Sequence, residues 1–437
     1  MRRILKLLVG ALLGLVLLIG FFILSYMPPD DPEQTHFRPA ASQDYAPRSA
    51  TYESGDDSTP YSYSLAFVEL NDEGLFAESE QVRLLLADLK SKVYDVDTTI
   101  LLYVHGWNHN ASPDSENVAC FEELLKATAI MQSTYLSSDD VSPRAVYGIY
   151  VGWPAVVYET KWLNKALTWF GRQSASDRVG ERGALLELFS KIGELRDQPG
   201  SQKTKFVIIS HSLGARLTYK SLRPVMQHSV YTGGRERSPF VADMSVMVNP
   251  ALTADEHTAL AGLIEEQGAQ AEGGAAPTFV IATSESDEVL GGVFPTSQKF
   301  SSFFRGDYML KDKMRTLPVG LFDEYVTHNL KLEGDYENTP GGQGCPTLKY
   351  DELEIVKGKA RVQNVAELYD FDVVKHYDSE GQETYRTVLT EFGNPSKGPI
   401  MVIKVAEDIV PNHNDFYTSP FVDFVARVIN ARLYRSP

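Results

Sequence analysis

The sequence predicts an α/β protein built on a doubly wound, mostly parallel sheet, with an N-terminal transmembrane helix and a large insertion before the last strand. Three observations predict this. Short apolar, β-branched runs alternate with helical patterns along most of the chain, and such alternation implies parallel strands covered by helices on both faces. The run from Leu7 to Leu24 carries no charge over 18 residues, the lower edge of what crosses ~30 Å of hydrocarbon as a helix. Some 115 residues separate the last two candidate strands, far more than a crossover needs.

Residues 1–27 read as an uncleaved signal-anchor. The apolar run is longer than that of a cleaved signal peptide, and "SYMPPDDPE" follows it in place of a small-residue cleavage site. Arg2, Arg3 and Lys6 precede the run and acidic residues follow it. That asymmetry puts the N-terminus in the cytoplasm and the bulk of a single-pass chain on the extracytoplasmic side, periplasmic or extracellular. Residues 28–60, rich in Pro, Asp, Ser and Gln, read as a flexible linker on which the body stands off the membrane.

The body begins at residue 61. "YSYSLAFVEL" is a strand and "ESEQVRLLLADLKSKV" an amphipathic helix with Val82, Leu85, Leu86 and Leu89 at helical spacing. Strands follow at 98–104, 145–151, 205–210, 243–249, 278–283 and 399–406, the fourth of these passing directly into the helix "ARLTYKSLRPVM" when the run at 61–70 is counted as the first. The core is thus 61–290, the insertion 291–398 a lid or cap, and 399–437 the last strand, a loop and a C-terminal helix.

A formal charge of −17, to which the first 26 residues contribute only positive charge, argues against nucleic acid as a partner, because phosphate binding needs a basic surface. Two cysteines, Cys120 and Cys345, exclude a disulfide framework and a thiolate metal cluster. In an oxidising compartment they either pair or stay as two buried thiols.

The chemistry concentrates in Ser210-His211-Ser212-Leu213-Gly214. A serine on a sharp strand-to-helix turn needs small residues two before and two after it, since strand and helix backbones come close there. Gly214 fills the second place, and Ser210 stands where glycine is usual. The following helix brings its positive end to Ser212, and the Leu213 amide is placed to donate to an oxyanion. One βαβ unit earlier, His105-Gly106 ends a strand and aims backbone amides, that of Trp107 above all, at the same pocket. His105 and His109 lack a third ligand, so no metal is expected, and the pattern calls for no cofactor.

For a nucleophile of this type the acid comes next in the chain and the histidine last. "SESDEVLGG" supplies Asp287, with Glu285 and Glu288 as neighbours; "IVPNHNDF" supplies His413 before the C-terminal helix. Asp408 is a rival acid, and His257, His328 and His376 are rival histidines. His211, beside the nucleophile, and Trp153, in a stretch it shares with Trp162, Trp169, Tyr158 and Phe170, are candidate substrate contacts, although such aromatics serve core packing as readily.

Taken together, "SLAFVELNDEG", "LLYVHGWNHNASPDSENVACFEELL", "VYGIYVGWPA", "FVIISHSLGAR", "VNPAL" and "SESDEVLGG" resemble a group of largely uncharacterised serine α/β-hydrolases of the esterase and lipase kind. The resemblance covers about 65–290 and returns near 399–430. It implies the α/β-hydrolase fold, a triad of Ser212, Asp287 and His413, and a small-molecule or lipid ester as substrate. Two alternatives remain open: the same triad in an acyltransferase or thioesterase, and a hydrolase-like domain without turnover that binds or assembles at the membrane.

Overall fold

The computed structural model describes residues 2–26, 37–40, 48–52, 61–136, 144–157, 168–201, 203–231, 242–268, 278–304, 313–334, 372–377, 383–393 and 400–434. Its elements are α1 (Arg2–Tyr26), β1 (Arg48–Tyr52), β2 (Tyr61–Glu69), α2 (Ser79–Asp95), β3 (Thr98–Val104), α3 (Glu116–Leu136), β4 (Ala145–Gly152), α4 (Trp169–Glu181), α5 (Ala184–Asp197), β5 (Lys205–His211), α6 (Ser212–Tyr231), β6 (Met244–Val248), α7 (Ala254–Gly268), β7 (Phe279–Ser284), α8 (Phe294–Phe304), β8 (His328–Gly334), β9 (Val373–Tyr377), β10 (Glu383–Glu391), β11 (Ile400–Val405) and α9 (Ser419–Tyr434).

The eleven strands form one sheet in the order β1-β2-β4-β3-β5-β6-β7-β11-β8-β10-β9. From β2 to β8 every neighbour is parallel; β1 with β2, β8 with β10 and β10 with β9 pair antiparallel. The central strands are apolar on both faces because both are covered. In β3, Ile100, Leu102 and Val104 pack in one core with Leu85 of α2, Leu188 of α5 and Leu217 of α6. Leu101 and Tyr103 point the other way, into a second core with Phe121 of α3 and Phe424 of α9. This is the doubly wound arrangement of a mostly parallel sheet.

Three expectations need revision or restriction. Of the expected linker, residues 37–40 and 48–52 are described, and both pieces are built into the body. Residues 48–52 are strand β1. The Phe37 and Arg38 amides donate to the two carboxylate oxygens of Glu69, each at 2.9 Å, and Arg38 is fully buried with its guanidinium 3.8 Å from the Phe67 ring centroid. A carboxylate at a strand end with two backbone donors aimed at it is a fixed anchorage, not a flexible tether.

Of the expected lid, Phe294, Val319 and Val326 pack into the core, and β8, β10 and β9 extend the sheet edge. The rest of the lid expectation falls mostly on 335–371, outside the described residues. Cys120 is disulfide-bonded; Cys345 lies outside the described residues.

Among the described residues no helix is long and apolar enough to cross a membrane. On α1 the described side chains are confined to residues 10–24. Leu12 to Ile19 and Ile23 and Leu24 are exposed, whereas Gly20 and Phe21 are partly covered.

Candidate active site

Parallel pairing in register brings the strand ends to one rim. Val104 is opposite Ser210, His211 opposite Val248, and Ser284 opposite Val405. The residues that follow these ends, 105–107, 212, 249, 287 and 413, therefore gather at the carboxyl edge of the sheet, where open α/β sheets form their clefts.

Ser212 sits where β5 becomes α6, with φ of 56°, the left-handed region that a serine occupies only when its surroundings impose it. The close approach is measurable. A Cβ on Gly214 would lie 2.6 Å from the Val104 carbonyl oxygen and closer still to that of His105, and one on Gly106 would lie 2.8 Å from the Ser212 Cβ. Ser210 occupies the remaining small-residue position, fully buried, its hydroxyl without a hydrogen-bond partner among the described residues. The Ser212 carbonyl accepts from the Ala251 amide at 3.2 Å.

The structure brings Ser212, His413 and Asp287 together. His413 Nε2 is 2.7 Å from Ser212 Oγ, and His413 Nδ1 is 2.6 Å from Asp287 Oδ2. The Leu290 amide donates to Asp287 Oδ1 at 2.8 Å, which leaves the other oxygen for the histidine. The rival groups stand elsewhere. Glu285, Glu288 and Asp408 are exposed. His376 lies near Asp423, His328 meets the Thr327 hydroxyl, and His257 is buried against the Tyr219 hydroxyl.

Two expected substrate contacts are held in the walls of the site. His211 is fully buried, as Ser212 is. Its Nε2 donates to the His413 carbonyl at 2.8 Å and its ring lies against Phe416, 4.6 Å between centroids. Burial, and then the neighbouring His413, push its pKa well below the usual imidazole value, so it is neutral. Trp153 is also buried. Its indole N–H donates to the His105 carbonyl and its amide to His105 Nε2, which leaves His105 Nδ1 to donate to the Gly106 carbonyl. Burial lowers the His105 pKa to about 3. Both histidines brace the rim as neutral hydrogen-bond groups.

Of the expected oxyanion groups, Trp107 follows Gly106 and Leu213 follows Ser212, so both belong to the two segments that abut at the nucleophile. The Trp107 indole packs edge-on against Trp169, 4.9 Å between centroids, and its N–H donates to Thr168 Oγ1. Trp162 and Tyr158 lie outside the described residues.

Asn249 escapes the sequence reading. It has φ of 45° and is fully buried. Its Nδ2 donates to the His413 carbonyl at 2.9 Å, and its Oδ1 accepts from the Ser284 amide. Ser284 and Ser286 donate to the carbonyls of Val410 and Pro411. The His413 loop is therefore tied to β5, β6 and β7 at once. A polar residue directly after an apolar strand, before proline in "VNPAL", is the only local signal for Asn249.

Among the described residues no cluster of His, Cys, Asp or Glu is arranged to hold a metal. No family model matches the chain, and no curated protein does. Among solved structures it is similar to phospholipase PlaB from Legionella pneumophila: in complex with thio-NAD, at 12% identity and a TM-score of 0.29 over 76% of this chain and 59% of that one. A second PlaB structure gives 11% identity and a TM-score of 0.30, over 76% and 60%. The chain spans about three-fifths of the length of those structures.

Proposed function

We propose that the protein is a membrane-anchored serine hydrolase that cleaves carboxylic esters through an acyl-enzyme on Ser212. The observation that carries this is the continuous contact from Ser212 Oγ through both nitrogens of His413 to Asp287, on a turn whose serine is held at positive φ. Esterase is chosen over acyltransferase and thioesterase as the simplest outcome of this chemistry, with water as the second nucleophile.

As Ser212 Oγ attacks the ester carbonyl, its proton passes to His413 Nε2. Asp287, which accepts from Nδ1–H, fixes the tautomer and stabilises the imidazolium. The amides of Leu213, at the N-terminus of α6, and of Trp107 donate to the developing oxyanion. Collapse of the tetrahedral intermediate breaks the carbon–oxygen bond, and His413 returns the proton to the leaving alcohol. Water, deprotonated by the same histidine, then releases the acid and restores Ser212.

The anchor reading rests on the sequence, on the 18 uncharged residues of 7–24 and the basic residues before them; an extracytoplasmic body goes with that reading. One observation favours a second reading, a binding module without turnover: Ser212 is fully buried. Labelling with a fluorophosphonate, which reacts only with an activated serine, separates the two. Labelling of the wild type that is lost in Ser212→Ala and His413→Ala supports the hydrolase; a folded wild type that takes no label rules for the module.

A further inference from the structure

One turn of α6 beyond the nucleophile, Arg216 is buried, its side chain 6% exposed, and each N–H of its guanidinium has an acceptor. Nε and Nη2 donate to the two carboxylate oxygens of Asp177 on α4, at 2.7 and 3.1 Å. Nη1 and Nη2 donate to the two oxygens of Glu256 on α7, both at 2.7 Å. The remaining Nη1 hydrogen goes to the Ala251 carbonyl at 2.9 Å. A guanidinium carries its donors in a rigid planar fork, so a full set of partners leaves it one position.

Glu256 is fixed in turn. Its Oε2 accepts from the Thr253 amide at 3.0 Å while the Thr253 hydroxyl accepts from the Glu256 amide at 3.3 Å, the reciprocal pair that closes the start of a helix. Lys220 brings a second cation to 2.9 Å from Glu256 Oε1. Buried charges so paired give little net stability over well-packed apolar groups of the same volume. What the fork supplies is a fixed place for the turn 249–253.

That turn touches both the nucleophile and the base. Ala251, whose carbonyl Arg216 holds, donates its amide to the Ser212 carbonyl at 3.2 Å. Two residues earlier, Asn249 holds the His413 carbonyl. The Ser212 carbonyl and the Leu213 amide belong to one peptide unit, and no peptide bond among the described residues is cis. In a planar trans unit the C=O and the N–H point opposite ways. A donor that fixes the Ser212 carbonyl therefore also fixes the direction of the Leu213 N–H.

We infer that Arg216 is a positioning residue for the oxyanion site: through Ala251 it sets the peptide between Ser212 and Leu213, and with it the aim of the Leu213 amide at the carbonyl under attack. It touches no substrate and moves no proton. This rests on the hydrolase reading above.

The test compares the full-length wild type with Arg216→Lys and Glu256→Gln on p-nitrophenyl butyrate and on two inhibitors of equal chain length. A trifluoromethyl ketone takes Ser212 Oγ at its carbonyl, the serine proton passing to His413, and so leaves a tetrahedral oxyanion; the matching methyl ketone binds without addition. Arg216→Lys keeps the charge and loses the fork. It should lower kcat about tenfold with KM within about twofold, less than the ~10²–10³ that removal of an oxyanion donor costs. Affinity for the trifluoromethyl ketone should fall by the same factor, and that for the methyl ketone should stay within about twofold. Glu256→Gln, which keeps the shape of its side chain, should move the same quantities the same way by about threefold. Lower thermal stability with kcat and both ketone affinities at wild-type values, or an equal loss for both ketones, would overturn the inference while turnover by the wild type keeps the hydrolase. If Arg216→Lys does not fold, Glu256→Gln decides: wild-type kinetics there would overturn the inference. A folded wild type whose Ser212 takes no fluorophosphonate would remove the hydrolase reading and this inference with it.

Discussion

The carboxyl rim of β3, β5, β6, β7 and β11 and the outer edge formed by β8, β10 and β9 belong to one sheet and follow opposite rules. At the rim, Ser212, Asn249 and Asp287 are buried, two of them at positive φ. The hydrogen bonds of His413 itself with Ser212, Asp287, His211 and Asn249 join residues far apart in the chain. At the edge, β10 alternates buried and half-buried residues between exposed ends, and the ion pair of Arg386 with Glu333 is about half exposed on both sides. Strain and long-range hydrogen bonds are affordable only where the surroundings over-determine the backbone. The edge has one covered face and no such support.

The largest expected effect tests the rim itself. Ser212→Ala or His413→Ala should each lower kcat by about 10⁴-fold or more on any ester the wild type cleaves, and the double variant should lose little beyond that, because the residues act as a unit. Steady-state kinetics with active-site titration checks both statements.

Asn249→Ala should cost about 10- to 100-fold in kcat with KM nearly unchanged, since it loosens the His413 main chain without touching substrate. A matched fall in thermal stability with normal kcat would instead give Asn249 a purely structural role.

Lower pH should act through buried histidines, His105 and His211 at the rim and His257 on α7. Burial depresses the folded-state pKa of His105 to about 3, of His257 to about 4 and of His211 well below its ordinary value, against about 6.5 unfolded. Between these values the unfolded chain binds protons that the folded one refuses. Stability is therefore complete above pH ~6.5 and falls as pH drops towards 3–4, by up to ~1.4 kcal/mol per pH unit for each histidine. Thermal unfolding from pH 7 to 4 measures the slope, and replacing His257 by a neutral residue that keeps the fold should reduce it.

Gly106→Ala should destabilise by about 1–3 kcal/mol, because its methyl meets the Ser212 Cβ and the His211 ring. At the edge, Arg386→Ala should cost less than about 1 kcal/mol by chemical denaturation. A loss there as large as at Gly106 would break the contrast between the two regions.

The same contrast explains what the sequence reveals. Strands β3 to β7 are visible as unbroken apolar runs because both faces are covered. The edge strands mix polar with apolar residues and show no unbroken apolar run, so β8, β9 and β10 merge with the surrounding turns. β1 is hidden in a Pro- and Asp-rich stretch, and only its pairing with β2 makes it a strand. Ser212 is legible because the turn geometry demands small neighbours. Asp287 and His413 are legible from their order along the chain. His211 draws attention through its place beside the nucleophile and Trp153 through its aromatic neighbours, and neither signal says which way a side chain points. Asn249 stays hidden because its partner is 164 residues away, a distance that leaves no local pattern.

The anchorage of Arg38 on Glu69 has a consequence for reach. Only ten residues separate the end of α1 at Tyr26 from Phe37, and fully extended they span no more than about 40 Å. If α1 is held in a membrane, as the proposed function has it, so short a leash keeps the body within that distance of the surface, and encounters there rather than in open solution would govern how often it works.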